Sequence, residues 1–299
     1  MNVFIPDFLQ QHILQFSDEG TRWLAHLPLR IAELEQEWDF RVGPAFDHGG
    51  AVSWVAPVEC GDGSAAVLKI GLPHPEARFE AQALRFLDGR GTVRLLRASE
   101  DGFSLLLERC FPGTDLWSLG DEEGNAVACR MLARMWRAPD PNVPFVSLSD
   151  YVAPWWDDLI HRGGSPRSAA VAGYDEGVVA EAVARGRELA ASQPRGVLLH
   201  GDFHPGNVLA AQREPWLVID PKPLIGEPAY DLAQWLYNRA RFAIRSDDPV
   251  AVLRRQIDRF AAELDVDPAR IAGWAFVKAL GWQFGPEFVT LFRQVARAW

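Results

Sequence analysis

The stretch VLLHGDFHPGNVLAAQREPWLVID, residues 197–220, determines how the rest of the chain is interpreted. A short apolar run leads into His200-Gly201-Asp202, and Asn207 follows Asp202 five residues later. A second apolar run ends at Asp220. Two such runs predict a hairpin, which would bring both carboxylates and the amide together. Carboxylate and amide oxygens are ligands that suit Mg²⁺, and a carboxylate can also accept or orient an attacking hydroxyl group.

The spacing H-x-D-x-x-x-x-N is that of the protein-kinase catalytic loop, in which a later aspartate holds Mg²⁺ on the nucleotide phosphates. The same residue types are common turn formers, so the motif alone leaves an ordinary loop open. His200 and His204 stand four residues apart, but the glycines and the proline around them disfavour a helix and therefore a zinc pair. We expect His200 to brace the loop.

Lysine usage is a second, independent feature. The chain has 30 Lys and Arg residues, of which only three are lysines: Lys69, Lys222 and Lys278. Lys69 ends a predicted strand, AAVLKI, where a kinase needs an ammonium group for the α- and β-phosphates. Glu80 follows in a predicted amphipathic helix, on a face able to pair with Lys69. A solvated lysine and a surface glutamate are the alternative.

The order of the predicted elements indicates an α+β fold in which sheet and helices are segregated. Apolar spacing predicts two helices over 5–40, interrupted at 18–20, and a third over 74–88. After Pro112 nearly everything is predicted as helix, apart from a short β section over 196–220. Strands are predicted at 41–46, 52–58, 65–70, 93–98 and 103–109, and later helices at 122–137, 149–160, 174–192, 229–243, 249–263 and 268–284.

Two segments of the first region could contact a nucleotide. The apolar run over 105–110 is interpreted as an edge strand, whose backbone groups near Glu108 and Cys110 would face an adenine edge. The loop before the second strand lacks G-x-G-x-x-G, but amides from Gly50 to Ser53 could cover phosphates. No Walker A, G-x-S-x-G or H-E-x-x-H pattern occurs, which argues against P-loop, α/β-hydrolase and zinc-protease chemistry.

Composition limits the partners. The 299 residues are 48% hydrophobic and 23% charged, as in globular proteins. The net charge of −10 disfavours nucleic acid and suits a cationic ligand. No apolar run could span a membrane and no signal-peptide pattern occurs, so we expect a cytoplasmic protein that does not bind membranes. Cys60, Cys110 and Cys129 are widely spaced and are predicted to be reduced thiols.

Taken in order, these motifs resemble the aminoglycoside phosphotransferases, which share the bilobal protein-kinase-like fold. The resemblance covers most of the chain, from Lys69 through LLLERCFPG and HGDFHPGN. Within it, VIDPKPLIGEPAYDLA, residues 218–233, resembles the branch of streptomycin 6-phosphotransferases and hydroxyurea phosphotransferases. The implied organisation is a nucleotide-binding lobe at 1–112 and a helical lobe at 113–299 that carries the catalytic and substrate-binding residues.

The resemblance also implies roles for individual residues. Asp202 would be the catalytic base or hydroxyl orienter, and Asn207 and Asp220 would be Mg²⁺ ligands. Lys69 would contact the phosphates of ATP, or of GTP, with Glu80 as its partner. Asp231 would brace the catalytic loop. The segment between Asp220 and Glu227 is too short for a phosphorylatable activation loop, which argues against a protein substrate.

The acceptor is expected to be a cationic small molecule, foremost streptomycin, phosphorylated on the 6-hydroxyl of its streptidine ring. Carboxylates and aromatic faces would suit its two guanidinium groups. Core packing and solvated faces are the alternative for these residue types. Hydroxyurea, a sugar or a choline-like acceptor stays open, as does a nucleotide-binding pseudokinase, and we expect a monomer. The candidate acceptor residues are Trp155, Asp157, Asp158, Trp282 and Glu287.

Overall fold

The structure, a computed structural model, describes residues 3–47, 49–139, 141–161, 174–281 and 285–299. The chain forms two compact units. The first comprises Met1–Gly113 and Ala210–Leu217, and the second comprises Thr114–Leu209 and Val218–Trp299. Residues 210–217 thus belong to the first unit, whereas the sequence predicted a single C-terminal region from residue 113 onward.

An antiparallel sheet forms the centre of the first unit, with the strand order β1-β2-β3-β5-β4. Strand β5 therefore lies inside the sheet and β4 at its edge, so the prediction of an edge strand over 105–110 is wrong. A pairing order of this kind depends on contacts far apart in sequence, which local apolar patterns do not reveal. The strands are β1 (Phe40–Val42), β2 (Ser53–Cys60), β3 (Ala65–Gly71), β4 (Leu95–Ala98) and β5 (Ser104–Glu108).

Three helices accompany this sheet: α1 (Asp7–Ile13), α2 (Ser17–Trp38) and α3 (Glu80–Leu87). Apolar residues of α2 join the core formed by alternate residues of β2 and β3, including Leu68 and Ile70. Because successive side chains of a strand point to opposite faces, Lys69 lies on the other face of the sheet. The predicted break at 18–20 is wrong, since the break lies in a 3-10 turn over Leu14–Phe16.

Helices dominate the second unit, and their bounds agree with the predicted ranges to within about three residues. The last helix was not among the predicted ranges. In the described residues, no helix is long and apolar enough to cross a membrane. The helices are α4 (Asp121–Met135), α5 (Leu148–His161), α6 (Glu176–Ala191), α7 (Ala229–Ala243), α8 (Pro249–Leu264), α9 (Pro268–Gly281) and α10 (Pro286–Ala296).

Helices α7 and α9 form the centre of this unit, and most of their residues are buried. Short strands frame the predicted catalytic segment. A three-stranded sheet has the order β6-β10-β7, from β6 (Val146–Ser147), β7 (Val197–Leu199) and β10 (Leu224–Gly226). Strands β8 (Val208–Ala210) and β9 (Trp216–Val218) form the predicted hairpin. His200 follows β7 directly and Asp220 closely follows β9, so sheet and hairpin together position the loop between them.

Candidate active site

Asp231, in the first turn of α7, holds the loop after β7 in place. The backbone amides of His200 and Gly201 each donate to the Asp231 carboxylate at 2.9 Å. The indole of Trp136 donates to the same carboxylate at 3.0 Å. Asp231 is completely buried, and a buried carboxylate is stabilised by multiple donors of this kind. These bonds form the brace that the family resemblance implied.

Gly201 makes a close approach possible within the same loop. Its φ is 80°, in the left-handed region, and a Cβ there would collide with the carbonyl oxygen of Lys222. The amide of Lys222 in turn donates to the carbonyl of His200 at 2.8 Å. The segment after Asp220 therefore packs directly against the catalytic loop, which a larger residue at 201 would prevent.

His200 uses both ring nitrogens to hold the loop. Its Nδ1 accepts from the Asp202 amide at 3.2 Å, so the ring proton lies on Nε2, which donates to the Ile219 carbonyl at 2.9 Å. The side chain thus links the catalytic loop to the end of the hairpin, as expected. Across the described ranges, no group of three or more His, Cys, Asp or Glu side chains could hold a metal ion.

Both carboxylate oxygens of Asp202 have a donor. Lys222 Nζ donates to Oδ2 at 2.7 Å, and Gln234 Nε2 donates to Oδ1 at 2.8 Å. Burial alone would raise the pKa of Asp202, but the positive charge of Lys222 and the nearby His204 outweigh it and the pKa is lowered. Asp202 is therefore an ionised, weakly basic carboxylate at neutral pH. Such a group can accept a hydrogen bond from a hydroxyl and orient it.

Asn207 and Asp220 lie side by side at the end of the hairpin. The Ile219 amide donates to the Asn207 carbonyl at 2.9 Å, which brings the two segments into register. Asn207 Nδ2 donates to the Asp202 carbonyl at 3.0 Å, so the amide oxygen Oδ1 points the other way. An amide oxygen and a carboxylate are a suitable protein contribution for Mg²⁺, whose other ligands are usually phosphates and water. The side-chain oxygens of Asn207 and Asp220 therefore suit Mg²⁺ as ligands.

Asp220 also has an unusual backbone. Four non-glycine residues of the described chain have positive φ: Asp39, Asp88, Asp220 and Asp265. Three of them terminate helices, where a left-handed residue is common. Asp220, with φ of 57°, follows a strand instead. Left-handed residues outside helix ends are often found at functional sites, so this conformation supports a ligand role for Asp220.

In the first unit, Lys69 and Glu80 form the predicted pair. Lys69 Nζ donates to both carboxylate oxygens, at 2.8 and 2.7 Å. Both side chains are buried, so the ammonium group is held in one place rather than solvated. Gly50 and Ser53 lie close together where the loop enters β2, and a Cβ at residue 50 would lie 3.2 Å from the Ser53 carbonyl oxygen.

Glu108 lies at the end of β5 with two of its polar groups engaged. The Glu108 amide donates to the Arg94 carbonyl at 2.9 Å, and its carboxylate accepts from Arg213 at 2.7 and 2.9 Å. An adenine contact at Glu108 would therefore fall to its backbone carbonyl, and it stays a prediction. Within the described residues, the backbone groups of Cys110 have no backbone partner. Burial raises the pKa of the Cys110 thiol to about 12, so the thiol stays protonated.

The candidate acceptor residues differ in how far they are buried. Trp155 is buried and packs against Tyr151 and Trp156, so it is a core residue and the prediction of an acceptor contact is corrected. Asp157 in α5 and Glu287 at the start of α10 are exposed. Trp282 and the side chain of Asp158 lie outside the described residues.

Sequence reasoning missed three residues around Asp202: Lys222, Gln234 and Lys278. Lys278 Nζ donates to Gln234 Oε1 at 2.7 Å, so these two residues continue the contacts of Asp202 into α9. One signal could have identified two of them, because Lys222 and Lys278 are the only lysines besides Lys69. Nothing in the local pattern of α7 distinguishes Gln234.

A sheet unit with a buried Lys–Glu pair, and a helical unit with a braced H-x-D-x-x-x-x-N loop, define a phosphotransferase of the protein-kinase-like fold. The family model described as aminoglycoside/hydroxyurea antibiotic resistance kinase matches residues 42–281, and the chain belongs to this family. It is an enzyme that transfers a phosphoryl group from ATP to a hydroxyl group of a small molecule.

Known proteins agree with this assignment. The chain is 36% identical to a streptomycin 6-kinase of Streptomyces glaucescens over 268 residues, which cover 89% of this chain and 84% of the relative. It is 40% identical to a hydroxyurea phosphotransferase of Kitasatospora aureofaciens over 228 residues, 74% of this chain and 64% of the relative. The crystal structure of a choline kinase from Streptococcus pneumoniae has the same fold, with a TM-score of 0.62 and 13% identity, covering 91% of this chain and 98% of that one.

Proposed function

We propose that this enzyme inactivates streptomycin by transferring the γ-phosphoryl group of ATP to the 6-hydroxyl of the streptidine ring. The proposal rests on the arrangement of Asp202, Asn207 and Asp220 around one loop and hairpin. Asp202 would accept a hydrogen bond from the substrate hydroxyl, beside the Mg²⁺ ligands Asn207 and Asp220. The streptomycin 6-kinase relative supports the choice of acceptor, since it matches over most of both chains.

In the proposed reaction, Asp202 accepts a hydrogen bond from the acceptor hydroxyl and aims its oxygen at the γ-phosphorus. The oxygen–phosphorus bond forms as the bond to the β–γ bridging oxygen breaks, and the hydroxyl proton passes to Asp202 late in the transfer. Lys69, held by Glu80, contacts the α- and β-phosphates, and the Cys110 backbone contacts the adenine edge. Mg²⁺ held by Asn207 and Asp220 would neutralise charge on the phosphates.

The acceptor side of the proposal rests on charge. Streptidine carries two guanidinium groups, which carboxylates bind by paired hydrogen bonds. Asp157 and Glu287 are exposed carboxylates on α5 and α10, and we assign the acceptor to this part of the second unit. Hydroxyurea is a second candidate because the hydroxyurea phosphotransferase relative is 40% identical.

An acceptor panel tests the proposal. ADP release is measured with MgATP and streptomycin, kanamycin, spectinomycin, hydroxyurea or choline, and each product is weighed by mass spectrometry. Streptomycin alone should gain the mass of one phosphoryl group. Modification of hydroxyurea alone would establish the second candidate, and nucleotide binding without modification of any acceptor would contradict both.

Asp202→Ala tests the catalytic assignment. Loss of the orienting carboxylate should lower kcat by about 10²- to 10⁴-fold while the affinity for MgATP changes little. Asp258→Ala, which removes an exposed carboxylate of α8, is the matched control and should behave like wild type. Unchanged turnover in Asp202→Ala would exclude Asp202 as the residue that orients the hydroxyl.

A further inference from the structure

We propose that Gln234 and Lys278 are positioning residues for the catalytic carboxylate, and that Lys278 acts by dictating which end of the Gln234 amide faces Asp202. This inference rests on the proposed role of Asp202. It assigns a function to a fully buried lysine that the reaction itself does not use.

The contacts form a continuous chain from the loop into the centre of the helical unit. Gln234 lies in α7, and its Nε2 donates to Asp202 Oδ1 at 2.8 Å. Lys278 lies in α9, and its Nζ donates to Gln234 Oε1 at 2.7 Å. Gln234 is 4% exposed and Lys278 is completely buried. These bonds are therefore shielded from competing water, which makes them more effective than equivalent bonds at the surface.

The orientation of the amide follows from donor and acceptor chemistry. A glutamine side chain has a donor end and an acceptor end, whereas a lysine ammonium group can only donate. With Lys278 on one side, Gln234 must present Oε1 to it, and Nε2 is left for Asp202. A flipped amide would set a donor against the ammonium group and an oxygen against the carboxylate. Lys278 thus ensures that Asp202 meets a donor.

The surroundings of Lys278 favour an ammonium group over a guanidinium group. Its Nζ lies 3.6 Å from the centre of the Tyr230 ring, at a distance typical of a cation–π contact. A ring face and an amide oxygen suit a compact ammonium group, while a planar guanidinium group has five donors to satisfy. The chain has 27 arginines and three lysines, so the use of lysine at this buried position is chemically specific.

The contacts of Lys222 and Gln234 explain how Asp202 keeps one orientation. Lys222 holds Oδ2, but its side chain is 30% exposed and can exchange partners with solvent. Gln234 holds Oδ1 from the buried side. With both oxygens held, the carboxylate cannot rotate about its Cβ–Cγ bond, and the direction in which it accepts a hydroxyl is defined. A misplacement of about 1 Å in a catalytic group can cost on the order of 10²-fold in rate.

A double-mutant cycle tests the inference in the full-length enzyme. The variants are Gln234→Met, Lys278→Met and the double variant, which replace each side chain with an apolar one of similar length. Each single variant should lower kcat by about 10- to 100-fold with the KM for ATP unchanged. The double variant should be no slower than the slower single variant, because both changes break the same chain of contacts.

Gln256→Met is the matched control. Gln256 is also a buried glutamine of the second unit, but it donates to Asp121 at 3.2 Å in another part of the fold. This variant should keep the wild-type kcat. Melting temperatures are recorded for all variants, so that a loss of folding is separated from a loss of positioning.

Gln234→Glu provides a test that does not depend on the stability of the Lys278 variant. It keeps the acceptor that Lys278 contacts but replaces the donor facing Asp202 with an oxygen, so its kcat should fall below that of Gln234→Met. Wild-type kcat in Gln234→Glu, or losses that simply add in the double variant, would overturn the inference. If Asp202→Ala is inactive while these variants are normal, only this inference fails. If Asp202→Ala keeps wild-type turnover, the proposed role of Asp202 fails, and if no acceptor is modified by the wild type, the proposed function fails.

Discussion

At the scale of single residues, Asp220 combines an uncommon backbone with a carboxylate at a hairpin end. A left-handed conformation costs a non-glycine residue on the order of 1 kcal/mol, although aspartate tolerates it better than most residues. A substitution of Asp220 changes both the backbone strain and the proposed metal ligand. Asp265 has nearly the same φ, 53°, at the exposed end of α8, so a substitution there changes the backbone strain alone.

Asp220→Ala should abolish the dependence of nucleotide binding on Mg²⁺, since it removes one of the two proposed protein ligands. The measurement is calorimetric titration with ATP in the presence and absence of Mg²⁺. Asp265→Ala introduces alanine at a comparable φ without touching the site, and should bind like wild type. An equal gain in affinity from Mg²⁺ in wild type and Asp220→Ala would contradict the assignment.

The residues of the site differ in how far the sequence could predict them. Asp202, Asn207 and Asp220 fall within 24 consecutive residues, so a hairpin alone brings them together and their spacing was informative. Gln234 and Lys278 reach Asp202 from α7 and α9. Their meeting depends on how two helices are rotated and packed, and one sequence does not contain that information in its local pattern. The prediction for Trp155 failed because aromatic residues at helical spacing occur more often in cores than in binding sites, and the sequence pattern does not separate the two cases.

At the scale of elements, the start of α7 performs three tasks at once. Tyr230 lies under the Lys278 ammonium group, Asp231 braces the catalytic loop, and Gln234 contacts Asp202. Residues 230 and 234 are four apart and therefore lie on one face of the helix, while 231 is one position further round. Movement of this helix end would displace the catalytic carboxylate.

Asp231→Asn should destabilise the protein by about 3 kcal/mol and greatly reduce activity. The buried carboxylate accepts from three donors, whereas an asparagine would turn its own donor group toward at least one of them. Urea denaturation measures the free energy of unfolding. Asp248→Asn is the control, since Asp248 caps α8 at an exposed position where Asn is an equally good cap. Equal stability of both variants would contradict the bracing role.

Helices of the second unit were predicted closely because their apolar periodicity is strong and uninterrupted. The break between α1 and α2 was misplaced because Asp18, Glu19 and Gly20 resemble a turn. The structure uses the two acidic residues in the first turn of α2, where the helix dipole favours negative charge. Gly20 is buried, and a Cβ there would collide with the Ile13 carbonyl oxygen. This glycine serves a close contact between helices rather than a break.

At the scale of the whole molecule, the first unit is built from two distant stretches of chain. Arg213, near the hairpin tip, donates to both carboxylate oxygens of Glu108 and to the carbonyls of Gly89 and Thr92, at 3.0 and 2.7 Å. This side chain joins residues 210–217 to the end of the sheet. No pattern in the sequence predicted the connection, since arginine is abundant in this chain and nothing in the local sequence distinguishes Arg213.

Arg213→Met should lower stability at neutral pH by on the order of 2 kcal/mol. The partly buried Glu108 carboxylate keeps the Arg94 amide as a donor but loses its charged donor, and the Gly89 and Thr92 carbonyls lose the guanidinium group. Burial would raise the pKa of Glu108, but the hydrogen bond and charge of Arg213 lower it below its usual range. A lowered pKa contributes stability above the unfolded-state pKa of about 4.3, and this contribution is lost as the pH falls through the folded-state pKa.

The stability difference between wild type and Arg213→Met should therefore be constant above about pH 5 and shrink below about pH 4. Urea midpoints at several pH values measure it. Arg185→Met, which removes an exposed ion pair with Glu188, is the control and should cost well under about 1 kcal/mol at any pH. A difference that persists unchanged at pH 3 would show that the Glu108 contact is not its source.

The net charge of −10 should also affect acceptor binding. For a cationic acceptor such as streptomycin, the KM should rise several-fold between low salt and about 0.5 M NaCl, because added ions screen the attraction. The kcat at saturating streptomycin serves as the control and should stay level, because screening acts on the encounter with the free acceptor. A KM for streptomycin that does not change with salt would contradict an electrostatic contribution.

The discontinuous first unit has a consequence for synthesis on the ribosome. Translation proceeds from the N-terminus, so the strands of the sheet emerge well before residues 210–217 exist. During that interval Glu108 is without Arg213, and the nascent sheet lacks the segment that closes its end. The first unit can therefore reach its final form only after residues 210–217 have left the exit tunnel, long after its strands have been made.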